Sequence, residues 1–381
     1  MALAFAFGLA ALGWANNVRV ENTTVLGYQP SLGLAKVGFD ISWDNSWRYT
    51  NINHDAVWVF FKVRGESQTN WQHVRLAGSG INPAGYSTGT GTGVELIVPS
   101  DGMGLFVRRS GQGSGPVSVQ NLRAVWNFAT NGFGSSDKVV VKTMAIEMVY
   151  VAEGAFYAGS GGGGVSEFYK YPNTNDAYRI TNEGAIAVGT TNGNLYYASS
   201  SSGGDRLGPI PAAFPKGYAA FYCMKYEVTQ GQYADFLNTL SSAQAGTRNP
   251  GASTYRYTIT GAWPNFTAGA RDRACNWLSW ADLCAYADWS GLRPMSELEY
   301  EKACRGPLAP VADEYAWGST GIVQQTGHAG TDGSGTETAL PTNANCCFDP
   351  VGVLGPVRAG IYATASSSRE GPGLHTGGSW S

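Results

Sequence analysis

Between residues 17 and 142 apolar and polar positions alternate with period two in short runs. Val18-Arg19-Val20-Glu21, Val37–Trp43, Ala56–Val63, Trp71–Leu76, Val94–Val98, Leu105–Arg108 and Val117–Phe128 each read as a strand. Gly, Asn, Ser and Pro separate them at the intervals of an antiparallel sandwich. The spacing therefore predicts a β-sandwich of seven or so short strands.

Beyond residue 142 the period changes. Thr229 is an N-cap residue with Gln232 in the capping-box position, and Tyr233, Phe236, Leu237 and Leu240 form one helical stripe. Residues 275–306 predict two short helices in tandem. Ser279 opens the first with Asp282 in its first turn, Trp280, Leu283, Cys284 and Ala287 recur at helical spacing, and Gly291 supplies a left-handed exit. Pro294 bars helix at Arg293, and Ser296 with Glu299 makes a second capping box; Leu298, Tyr300 and Ala303 give apolar surface before Gly306 ends the helix. Residues 139–158 read as the join between the two regions, and residues 307–345, Gly-rich and aperiodic, as loop.

Composition narrows the class. The chain of 381 residues is 43% hydrophobic, enough for two cores, and its 14% of charged residues with 52 Gly suits turn-rich β structure. A net charge of −3 without basic runs gives no footprint for nucleic acid. Residues 1–15, MALAFAFGLAALGWA, resemble a signal peptide with Gly13 and Ala15 at the small positions of a cleavage site, although no Lys or Arg precedes the apolar run. No other run is long enough to span a bilayer, so a secreted or surface-attached protein is expected. Cys223, Cys275, Cys284, Cys304, Cys346 and Cys347 permit disulfides or act as small buried hydrophobes, and their spacing is poor for zinc. Gly161–Gly164 lacks the Gly-Lys-Ser/Thr of a phosphate loop and reads as a flexible turn. Trp43, Trp47, Trp58 and Trp71 either pack in the sandwich or line a glycan-binding face, packing being the commoner use of such residues.

Trp280, Asp282, Tyr286 and Trp289, followed by Leu292-Arg293-Pro294-Met295-Ser296-Glu297-Leu298-Glu299-Tyr300-Glu301-Lys302-Ala303-Cys304-Arg305-Gly306, resemble the central motif of the sulfatase-modifying-factor, or formylglycine-generating-enzyme-like, family. Lys225-Tyr226-Glu227-Val228-Thr229 is similar to its strand-to-helix passage, and Met148-Val149-Tyr150-Val151 to its opening strand. The run from Phe39 to Arg64 resembles the immunoglobulin-like domain that often precedes it in secreted bacterial proteins. The resemblance implies an all-β immunoglobulin-like sandwich over residues 16–142 and an α+β domain of C-type-lectin-like topology over 143–381. Thr229, Ser279, Ser296, Glu299 and Arg305 would be its structural motif residues. It also implies a structural calcium ion near Asn345 and Asp349, although two side chains do not make such a site and an Asx turn explains them as well.

The chain departs from the family towards its end. After Gly355-Pro356-Val357-Arg358-Ala359-Gly360 the G-N-V-W-E-W block does not appear, and Gly377-Gly378-Ser379-Trp380 resembles a remnant of a later motif. Family oxidases bind copper(I) through a C-terminal cysteine pair, whereas here no Cys follows Cys347, so copper and catalytic residues are not carried over. A non-catalytic binding or structural protein with a protein or glycan ligand is expected first. The alternatives are an oxidase whose catalytic segment is missing and a glycan-binding module. Loss of the last family strands would leave Tyr233, Phe236 and Leu240 uncovered.

Overall fold

The computed structural model describes residues 18–164, 166–199, 205–315, 319–347 and 353–362. The signal-peptide-like run at 1–15, Asp349 and the Gly377–Trp380 motif lie outside them.

The first ten strands are β1 (Arg19–Gln29), β2 (Leu34–Arg48), β3 (Asp55–Gly65), β4 (Gln72–His73), β5 (Gly80–Ile81), β6 (Ser87–Gly91), β7 (Val94–Val98), β8 (Leu105–Arg109), β9 (Gly113–Asn127) and β10 (Val139–Val151). Four short strands follow, β11 (Phe156–Ala158), β12 (Tyr169–Lys170), β13 (Tyr178–Ile180) and β14 (Leu195–Tyr196), and then β15 (Phe221–Met224). One sheet has the order β1-β2-β9-β6, and a second runs β15-β10-β3-β8-β7-β5 with β4 beside β3. The chain is thus mostly β, with the sandwich region followed by a more irregular one.

Strand β2 and strand β9 are longer than the hydrophobic pattern suggests, while Trp71–Leu76 contributes only the two paired residues of β4. Strand β6, of sequence Ser-Thr-Gly-Thr-Gly, has no apolar period to announce it; its register against β9 holds it in the sheet. The inner faces enclose Phe39, Trp43, Phe61, Leu96 and Trp126. At one edge Thr23 and Thr143 share a 2.9 Å hydroxyl contact that brings β1 to β10.

Strand β3 is buried along both faces. Val57, Val59, Phe61 and Val63 enter the sandwich core, whereas Trp58 and Phe60 on the opposite face enter a second core. A near-continuous apolar run is what a strand covered on both sides requires. The second core is completed by three helices, α1 (Gln230–Leu237), α2 (Ser242–Arg248) and α3 (Trp280–Ser290), of which α1 and α3 supply Tyr233, Phe236, Tyr286 and Trp289; a fourth helix, α4 (Glu297–Arg305), places Leu298 in a smaller cluster with Phe156 and Ile180. Phe60 meets the edge of Trp289 at 5.0 Å between centroids, and Phe236 meets it at 5.3 Å. Tyr233 and Phe236 are fully buried, so the expected exposure of that stripe is corrected: β3, β10 and α3 cover it.

The sheet also finishes helix α3. Its last carbonyls lack partners inside the helix, and Trp58 Nε1 donates to the Ser290 carbonyl at 2.8 Å while Lys62 Nζ donates to that of Trp289 at 2.6 Å. Gly291 then leaves the helix at φ 72°, a left-handed conformation that costs glycine little. The strand β10 crosses the expected junction at residue 142 unbroken, pairing with β3 from Val139↔Gly65 to Val149↔Asp55 and with β15 from Met148↔Met224 to Val151↔Phe221.

Phe60→Ala is expected to destabilise the fold by about 3–5 kcal/mol, read by denaturant unfolding, and to loosen the strand region and the helical region together. Burial lowers the Lys62 amine from its usual value to about 7, against the raising influence of Asp288. Above that pH the unfolded chain holds the proton that the folded chain has lost, so stability gains a positive slope with pH. Unfolding followed from pH 7 to 9 should show a shallower rise in Lys62→Met than in the parent; equal slopes would refute the assignment.

Candidate functional site

The motif residues of the helical region are used internally. Thr229, Ser279 and Ser296 N-cap α1, α3 and α4, and each forms a reciprocal capping box with Gln232, Asp282 and Glu299 respectively. Arg293 donates to both carboxylate oxygens of Glu299, at 2.8 and 2.6 Å, and Glu299 also accepts the Ser296 backbone N–H. Lys302, lowered to about 8 by burial, donates to the carbonyls of Ala152 and Gly217, both at 2.6 Å. Arg305 lies 3.7 Å from Glu301 one helical turn earlier. These groups build the scaffold and leave little unsatisfied chemistry.

Lys225, from the strand-to-helix motif, reaches into the sandwich. Its ammonium lies 3.2 Å from both Asp55 and Glu147 and donates to the Asn45 carbonyl at 3.0 Å. Burial alone would lower its pKa, but Glu147, Tyr226 and Asp55 together hold it above the usual value. Asp55 in turn accepts from Ser46 Oγ at 2.8 Å, the Trp47 backbone N–H at 3.0 Å and Trp43 Nε1 at 3.3 Å. The indoles of Trp43, Trp47 and Trp58 are buried, with their N–H groups donating to Asp55, Asn53 and Ser290. None lines a glycan face, which corrects that reading in favour of packing. Trp71 lies beneath the cations of Arg64 and Lys142.

Asn345 is nearly buried, its amide oxygen accepting the Val323 N–H at 2.9 Å and its amide nitrogen donating to Gly321 at 3.0 Å. It stitches two loop segments together. Among the described residues no three His, Cys, Asp or Glu side chains gather as metal ligands. All six cysteines are free thiols. Cys346 and Cys347 direct their sulfurs to different carbonyls, of Val323 and Val353, each at 3.8 Å. Burial pushes the thiols of Cys223 and Cys275 up to about 12 and raises those of Cys304, Cys346 and Cys347.

A different surface stands out. Tyr255, Trp277 and Trp280 are 47%, 49% and 68% exposed, the two indoles being the most exposed tryptophans among the described residues. The sequence pattern places Trp280 and Leu283 on the buried stripe of α3; instead Asp282, Tyr286 and Trp289 turn inward, leaving Trp280 and Leu283 outside. The reason is geometric: positions 282, 286 and 289 share one helical face, and 280 and 283 lie on another. The Tyr255 and Trp277 rings pack at 5.5 Å with an interplanar angle of 50°. Tyr255, Arg256 and Trp277 all have left-handed backbones, with φ of 53°, 62° and 62°. Such residues cost about 1–3 kcal/mol each and persist where surrounding structure enforces them, often at functional sites.

Local bonds do the enforcing. Trp277 Nε1 donates to the Thr254 carbonyl at 3.4 Å, and Asn276 Nδ2 to that of Tyr255 at 2.9 Å, while the Asn276 amide oxygen is buried without a partner. The Arg256 side chain turns inward, donating to Pro356 at 2.9 Å and to Glu337 at 3.0 Å, with Asp332 as a further ion-pair partner. Arg273 joins the same Asp332 oxygen at 2.5 Å. A Cβ on Gly355 would sit 2.4 Å from the Tyr255 carbonyl, so that close approach requires glycine.

Residues 137–367, more than half of the chain, match the sulfatase-modifying factor enzyme 1-like domain. The chain belongs to that family. The matched segment begins two residues before β10, so the sulfatase-modifying factor-like region shares its first strand with the sheet that precedes it. No curated protein and no solved structure matches the chain.

Lys225→Met removes the ammonium that pairs with buried Asp55 and Glu147, and breaking a buried pair by removing one partner costs about 3–5 kcal/mol. Calorimetric unfolding should register a loss of that size, with the sandwich and helical regions destabilised together.

Proposed function

We propose that this chain is a secreted or surface-attached, non-catalytic ligand-binding protein, in which an immunoglobulin-like sandwich carries a sulfatase-modifying factor-like domain of C-type-lectin-like topology. The observation that carries the reading is the exposed Tyr255–Trp277 pair on left-handed backbone, beside exposed Trp280. Packing two large rings against each other in water while holding their backbones in strained conformations spends stability on a surface. Binding a ligand there is a use for that expense.

The thiols support the non-catalytic half. Copper(I) chemistry of the family's oxidases needs paired soft thiolates, whereas Cys346 and Cys347 direct their sulfurs to different carbonyls and burial raises both thiols above their usual range. The full chain, supplied with copper(I) and a cysteine-containing sulfatase peptide, is expected to leave the peptide cysteine unchanged by mass spectrometry. Conversion to formylglycine would establish the oxidase reading instead.

A further inference from the structure

We propose that Tyr255, Trp277 and Trp280 form a stacking surface for neutral polysaccharide. The inference rests on the ligand-binding reading above and names the class of ligand. Three features of the surface select it.

The exposed groups are ring faces. The Trp277 indole N–H is committed to Thr254 and fixes the ring, so what remains for a ligand is the π face. Such a face is electron-rich and attracts the weakly positive C–H groups on one side of a sugar ring. Trp280 opens α3 three residues later, 68% exposed, with exposed Leu283 on the same helix face, and offers a further ring to a ligand longer than a single sugar unit.

The surrounding charge is spent internally. Arg256, the third left-handed residue and next to Tyr255 in the chain, is bound to Pro356, Asp332 and Glu337. Arg248 pairs with Asp282 at 3.1 Å at the start of α3. Thr254 and Asn276, which hydrogen-bond at the rings, and Ser279 at the start of α3 are uncharged. With Arg256 and Arg248 both paired, the surface complements an uncharged ligand better than a sulfated glycan or a phosphorylated peptide, which need a free cation as anchor.

Two backbone acceptors beside the rings are already engaged. Recognition by strand addition needs open carbonyl and N–H groups along an edge. Here the carbonyls of Thr254 and Tyr255 already accept from Trp277 and Asn276. Sugar rings need only the aromatic faces, with their hydroxyls left to water.

The test is calorimetric titration of the full chain with cellohexaose, xylohexaose, mannohexaose and chitohexaose, with a heparin hexasaccharide for comparison. At least one neutral hexaose is expected to bind and shift the tryptophan emission. Its Kd should weaken at least about tenfold in Trp277→Ala and in Trp280→Ala, with partial retention in Trp277→Phe and no change in Trp71→Ala. Circular dichroism of each variant checks that the fold is intact, as expected for exposed rings. Absence of binding to every neutral hexaose at millimolar concentration, preference for heparin, or binding indifferent to both tryptophan variants would overturn the inference. Should neutral sugars fail while a displayed-peptide library yields a binder lost in Trp277→Ala, the ligand class falls and the binding reading stands. Should Trp277→Ala affect neither, both fall.

Discussion

Strand β3 has no face left for water, and the rest of the molecule follows from that constraint. Its odd-numbered apolar residues fill the sandwich, and Trp58 and Phe60 fill the helical core. Two polar residues on the same strand complete the bond: Asp55 receives Lys225 from the family motif, and Lys62 finishes helix α3. Burying charge is costly unless it is paired and hydrogen-bonded, and here each buried charge holds an element of one region against the other. The two cores are therefore coupled through shared backbone as well as through contact.

The family motif and the aromatic surface show opposite economies. Around Glu299, Arg293 and Lys302 nearly every polar group meets a partner inside the chain. Around Tyr255 and Trp277 the backbone is strained, the rings are wet, and one amide oxygen is left unpaired. Left-handed non-glycine residues occur elsewhere too, Arg206 and Asp313 among them, but here three of them gather beside exposed rings, and strain of that kind tends to cluster at sites of use. The capping boxes of the family motif thus build the support, and the less patterned segments around residues 255 and 277 carry the surface.

Helix starts were readable from sequence because capping is local: Ser279, Ser296 and Thr229 announce themselves through residues three positions away. Strand β7 was readable too, since its alternation matches its burial. Strand β6 was not, because Gly and Thr carry no hydrophobic period and only its neighbour β9 specifies it. The outward turn of Trp280 was hidden for a related reason. Spacing shows that a helix has an apolar face, yet on α3 two candidate faces overlap, and only the position of Phe60 and Tyr233 decides which is buried. Left-handed Tyr255 and Trp277 had no signal at all, since neither residue type favours that conformation.

The continuity of β10 also has a mechanical meaning. This strand is clasped along eleven successive positions by β3 before the chain passes on to the region bounded by β15. Tension that draws β10 and β3 apart along the strand axis loads their ladder of hydrogen bonds in shear, so the bonds share the load rather than peeling one by one. The joint between the two regions is thereby built as a lap joint and not as a hinge.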